Sequence, residues 1–269
     1  MDIKLIAFDL DGTALNSKKE ISPRTLRAIQ NAVKSGKIVI PATGRSLGAI
    51  HKKLMGLKGY FILNNGTTVA SMPEREILFS HVFKPGVSLS LLEQFKTYPC
   101  IILAAKSDCG MIDQSIERVK DKNIQSRFRE IVKAWNPVVM DVEKAIQEDP
   151  SWVNFFTLVF TDEGEWQRTV SLLKQQEGIS VSSSAWGCVD IMPPGINKGK
   201  ALRFIMDKLS LKKEQVMAIG DNLNDLEMLQ NAGIAVAMSN SVEAIKEMAD
   251  RITLSCDEDG VALAIEEIL

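Results

Sequence analysis

LIAFDLDGT, residues 5–13, decides how the rest of the chain is read. The apolar run Leu5 to Phe8 is the body of a strand predicted over Ile3–Phe8, with Asp9 and Asp11 at its carboxyl end. Strand side chains alternate, so residues two apart project to the same side and two carboxylates can share one site. Open α/β sheets bind ligands at the carboxyl ends of their strands, and Gly12-Thr13 lets the chain turn there with amides exposed. Taken alone, the stretch also reads as an ordinary acidic turn after a strand.

Working outward, Ser22-Pro23 supplies an N-cap with proline at the first helical position. Leu26, Ile29, Ala32 and Val33 follow at helical spacing, and Gly36 fits the left-handed residue that closes the helix. A second strand is predicted over Lys37–Ala42, a helix over about Leu47 to Met55, and a strand over Tyr60–Leu63. The turn Asn64-Asn65-Gly66 then leads to a hairpin of Thr67–Ala70 with Ile77–Phe79.

From Val82 the rhythm of strand and helix changes, and after Met192-Pro193-Pro194-Gly195 it returns with helix Lys198–Leu209 and strands Val216–Ile219, Ile234–Ala237 and Arg251–Leu254. The expected fold is α/β: a Rossmann-like parallel sheet core from residues 1–81 and 188–269, with an inserted α+β cap over 82–187.

Gly220-Asp221-Asn222-Leu223-Asn224-Asp225 repeats the opening arrangement at the end of the strand Val216–Ile219. Hard oxygen ligands without histidine or thiol point to Mg²⁺. Thr43-Gly44-Arg45 offers a hydroxyl, an unhindered amide and a helix N-terminus, which suit a phosphate but also make a plain N-cap and turn. Lys198 opens a helix, where a cation opposes the helix dipole and asks for a compensating anion. The alternative for Lys198 is a solvated lysine, for which Lys200 is the control.

Composition bounds the partners. With 32 basic and 34 acidic residues and a formal charge of −2, the chain carries no field that would draw nucleic acid or an anionic membrane. The N-terminal apolar run is too short for a membrane span or secretory segment, so a cytoplasmic protein is expected. Cys100, Cys109, Cys188 and Cys256 form no CxxC pair and read as buried free thiols.

Together DLDGT (9–13), TGR (43–45), NKGKAL (197–202) and GDNLND (220–225) resemble the haloacid dehalogenase-like phosphatases. The cap position resembles the Cof-type subgroup, with a type IIB cap. The resemblance implies Asp9 as nucleophile, Asp11 as general acid and base, and Thr43 and Lys198 as holders of the phosphoryl group. It implies that Asp9, Asp221 and the backbone carbonyl of Asp11 bind Mg²⁺, with Asp225 supporting the metal site. Asn224 would contact phosphate or substrate, Gly44 would offer its amide, and Arg45 would play a secondary role.

The substrate expected is a small phosphate ester, with sugar phosphates favoured by the resemblance, acted on by a monomer or small homo-oligomer. A phosphotransferase or mutase on the same scaffold, or a phosphate-binding protein without turnover, remains an alternative. A nucleotide-binding Rossmann protein lacks its phosphate loop here, since neither GxGxxG nor GxxxxGK[ST] follows the first strand. In the cap, Lys120, Lys122, Arg127, Arg129 and Lys133 form a basic run that reads as a solvated helix face or as a wall facing an anionic substrate. Trp135, Trp152, Trp166 and Trp186 are expected to be buried packing residues, although one could stack on a sugar or base.

Overall fold

Five parallel strands run in the order Arg251–Ile252, Ile234–Ala237, Val216–Gly220, Leu5–Phe8, Ile38–Pro41. The computed structural model describes residues 2–84, 86–118, 120–135, 137–149 and 153–269. Trp152 lies outside the described residues, as do the side chains of Lys133 and Trp135. The central strands are apolar throughout because both faces are covered. Ile6, Phe8 and Ile219 pack to one side, and Leu5, Ala7 and Ala218 to the other.

The predicted first helix forms over Pro23–Lys34, and the Ser22 hydroxyl accepts the Thr25 N–H at 3.0 Å. The expected helix over Leu47 to Met55 does not form; two short 3₁₀ turns, Leu47–Ala49 and Lys52–Leu54, stand in its place. Ile50 and His51 between them are extended. The N–H groups of Leu47 and Gly48 donate to the carbonyls of Ser107 and Asp108 in the cap, which ties this segment to the cap sheet.

A three-stranded antiparallel sheet, Gly59–Leu63, Thr68–Met72 and Glu76–Ser80, continues from the core edge through a bridge between Ala42 and Ile62. Its first turn holds Asn64, Asn65 and Gly66 at positive φ. A Cβ on Gly66 would lie 2.2 Å from the Asn197 carbonyl oxygen. Only glycine lets this turn touch the start of the helix Lys198–Lys208.

The cap is a six-stranded sheet ordered Ser180–Ser182, Cys188–Met192, Phe155–Val159, Ile101–Ala105, Gly110–Asp113, Val138–Met140. Cys188–Met192 falls after the expected boundary at 187/188, yet it pairs antiparallel with Phe155–Val159 and Ser180–Ser182. The cap sheet therefore extends to Met192. Sequence reading also missed the strands Gly110–Asp113 and Val138–Met140 and the helices Val142–Glu148 and Gly260–Glu266. Among the described residues no helix is long and apolar enough to cross a membrane.

Candidate active site

The chain runs from Leu5–Phe8 to Ile38–Pro41 on one side, and Val216–Gly220 lies on the other. Such a switch point opens a crevice at the carboxyl ends of the strands. Asp9 and Asp221 leave those two central strands side by side, and the Asp9 N–H donates to the Ile219 carbonyl at 3.0 Å.

Lys198 is fully buried, and its ammonium is shared between Asp9 Oδ1 at 2.6 Å and Asp225 Oδ1 at 2.7 Å. Lys200 is exposed, so Lys198 is not a solvated lysine at a helix start. Burial would lower its pKa, but Asp225 and Asp9 outweigh burial and raise it, fixing the positive charge. Asp225 Oδ2 accepts the N–H groups of Asp221 and Asn222 at 3.0 and 3.2 Å. Both of its oxygens are thus engaged, which suits a support for the acidic loop.

Asp11 turns toward Arg45, whose Nε and terminal nitrogen donate to its two oxygens at 2.7 and 2.8 Å, while Lys19 donates at 3.1 Å. Burial alone would raise its pKa; the hydrogen bonds and charge of Arg45, joined by Lys19, lower it to about 2. Thr43 is buried, and its hydroxyl accepts the Arg45 N–H at 3.1 Å. The Asn224 amide donates to Asn65 Oδ1 at 3.0 Å.

Asp9, Asp11, Thr43, Gly44, Arg45 and Asn224 line one side of a cavity of about 200 Å³ beneath the cap sheet. Lys19 and Asn65 are the partners that sequence reasoning missed: Lys19 sits in an unpatterned turn, and Asn65 was read only as a turn residue. In the cap, Arg127 lines the cavity and pairs with Glu130 at 2.8 Å, while Lys120, Lys122 and Arg129 are exposed. Trp166 is partly buried and donates to the Cys188 carbonyl, but Trp186 is 56% exposed, against expectation, its ring tilted 59° to that of Trp166 at 5.9 Å. The four cysteines are free; Cys100 and Cys188 are buried, whereas Cys109 and Cys256 are only partly so.

Oxygens of Asp9, Asp221 and Asp225 lie within 4.8 Å of one another. Burial, then the neighbouring Asp225, pushes Asp221 up to about 7, and burial pushes Asp9 well above the carboxylate range despite Lys198. Gly12 makes room: a Cβ there would lie 2.5 Å from Asp221 Oδ2. A crowded, oxygen-only acidic cluster with one lysine is short of positive charge, and it fits a hard divalent cation.

The pH dependence follows. Asp221 keeps its proton to about 7 in the folded state but loses it near 3.8 when unfolded. Its contribution favours folding at low pH and is lost as pH rises through that window. A cation at this cluster would require Asp221 in its ionised form. The rise in Tm on adding Mg²⁺ is therefore expected to grow between about pH 5 and pH 8, measured by thermal unfolding.

A family model for haloacid dehalogenase-like hydrolases matches residues 6–265. The 5-amino-6-(5-phospho-D-ribitylamino)uracil phosphatase YcsE of Bacillus subtilis is 30% identical over 98% of this chain and 95% of its own length. The pyridoxal phosphate phosphatase YbhA of Escherichia coli is 29% identical over 97% of each chain. A crystal structure of a haloacid dehalogenase-like hydrolase from Bacteroides thetaiotaomicron superposes with a TM-score of 0.81 at 31% identity, covering 99% of this chain and 100% of that one.

Proposed function

The chain belongs to the haloacid dehalogenase-like hydrolase family, and on that premise we propose that it is a Mg²⁺-dependent phosphatase of small, polar phosphate monoesters. The observation that carries this reading is the buried Lys198 bridging Asp9 and Asp225 beside a cavity into which Asp9, Asp11 and Thr43 open.

Asp9 attacks phosphorus in line, forming an acyl phosphate as the ester P–O bond breaks. Lys198 anchors Asp9 Oδ1 and orients the carboxylate. Asp9, Asp221 and the Asp11 carbonyl would hold Mg²⁺, which offsets the repulsion between phosphate and carboxylate, on the order of 4 kcal/mol per charge pair at 4 Å. Thr43 and Gly44, which line the cavity, would receive the phosphoryl oxygens.

Asp11, ionised in its pair with Arg45, is ready to take a proton from the water that attacks the phosphorus of the acyl phosphate, releasing inorganic phosphate and restoring Asp9. To protonate the leaving oxygen in the first step, Asp11 must first be loosened from Arg45. A substrate phosphate competing for the guanidinium does this, and the phosphate monoanion's own proton, taken up by the released Asp11, is the one passed to the leaving oxygen.

The test is release of inorganic phosphate from a panel of phosphate esters with Mg²⁺ and with EDTA. Turnover only with the metal is expected; metal-independent turnover, or none on any ester, overturns the reading. Arg45→Ala removes the larger of the two influences that hold Asp11 down and leaves Lys19 alone against burial, which pushes it up. The base form needed to hydrolyse the acyl phosphate is then lost at higher pH, so the acid limb of kcat is expected to move up by about one unit or more.

A further inference from the structure

The wall opposite the acids is one face of the cap sheet. Phe155, Thr157 and Val159 alternate along one strand, and Cys188 and Asp190 along its neighbour, all facing the cavity. The face is apolar except at Thr157 and Asp190, which stand opposite each other in register. The Thr157 hydroxyl donates to Asp190 Oδ1 at 2.8 Å.

Asp190 is 1% exposed, and among the described residues its Oδ2 makes no hydrogen bond of good geometry, although the Ser184 and Asn65 side chains stand beside the carboxyl. Burial raises the pKa of this carboxyl; Ser184, Thr157 and Asn65 offset the shift only in part. The Asn65 amide is a second buried orphan, with no acceptor for Nδ2, although its Oδ1 is held by Asn224. The acceptor and the donor thus lie side by side without a well-formed bond between them. Buried polar atoms are rarely left so without a partner that arrives later.

A hydroxyl group answers both, since it donates one hydrogen bond and accepts another, whereas an ether or carbonyl only accepts and an ammonium only donates. The space continues past Thr157 and Phe155 into an adjoining cavity of about 190 Å³, which gives a leaving group several atoms long somewhere to go.

We propose that Asp190 is the specificity-determining residue of this cleft, its Oδ2 accepting a hydrogen bond from a hydroxyl on the alcohol being released, so that polyhydroxylated phosphate esters are selected over apolar ones. The proposal rests on the phosphatase reading above. Thr157 fixes the carboxyl in place, and Asn65 completes the hydroxyl's hydrogen bonding.

The experiment compares kcat/KM for D-ribitol 5-phosphate and pentyl phosphate, two esters of equal chain length with and without hydroxyls. The natural protein is expected to prefer the polyol ester by about 100-fold or more, because the apolar ester leaves the buried groups unpaired. Asp190→Leu, close in volume and without an acceptor, is expected to cut that preference to less than about tenfold. Asp190→Asn keeps the Thr157 bond and serves as a second variant, with a smaller fall in the same ratio.

A preference unchanged within about twofold in both variants, or an equal loss on both esters, overturns the proposal and leaves Asp190 as a structural group bridged by water. If neither ester is turned over with Mg²⁺, it is the phosphatase reading that fails. Calorimetric binding of the same two phosphates then reads the preference directly, and equal affinities overturn this proposal too.

Discussion

Asp9→Asn is expected to lower kcat by about 10⁴-fold or more while the protein stays folded. The amide cannot form the acyl phosphate, and no other carboxylate holds its place at the end of the first strand next to Lys198. Stability is expected to move the other way. Burial opposes ionisation of Asp9, and Asp225, Asp221 and Asp11 add to that, against Lys198 alone. Removing the charge relieves that crowding, and Lys198 keeps Asp225 as its partner. The metal-free variant should therefore melt at or above the natural protein, while its gain in Tm from Mg²⁺ shrinks. Substantial Mg²⁺-dependent turnover by Asp9→Asn would end the claim that Asp9 is the nucleophile.

Asp225→Ala is expected to do the opposite, destabilising the fold by about 3–5 kcal/mol in denaturant titration. The side chain is fully buried and holds Lys198 with one oxygen and two backbone N–H groups with the other. Alanine strands part of a buried positive charge and frees the loop that carries Asp221. Asp225→Asn keeps an oxygen and the shape, so a cost nearer 1–2 kcal/mol is expected. Equal, small costs for the two variants would show that the ion pair contributes little.

The site was legible because its groups sit where strand-end chemistry puts them. Asp9-Leu10-Asp11-Gly12-Thr13 and Gly220 to Asp225 each follow a short apolar run, and the structure brings both loops to the crevice between the two central strands. What escaped was decided by distant partners. Leu47 to Met55 has a helical pattern, but Ile50 and His51 are extended, and the segment docks its first amides on cap carbonyls about sixty residues on. Cys188-Val189-Asp190-Ile191-Met192 carries an aspartate in mid-strand, which reads as a turn signal until the facing Thr157 is known. Arg45 shows the same limit at the level of role. Its place after Thr43-Gly44 was plain, yet its two bonds to Asp11 come from a loop 34 residues earlier.

Lys198 and Asp9 are 189 residues apart in the chain, and the Thr13 hydroxyl reaches Asp221 across 208. Contacts of such separation must overcome a large loop-closure entropy and slow folding accordingly. On a ribosome adding about 5–20 residues per second, the first strand meets Ile38–Pro41 early but waits tens of seconds or so for Val216–Gly220, its neighbour on the other side. The intervening cap sheet contains all of its own strand partners and can form in that interval. Hydrolytic competence is thus the last property the growing chain acquires, because half of its reacting groups have not yet been synthesised when the other half emerge.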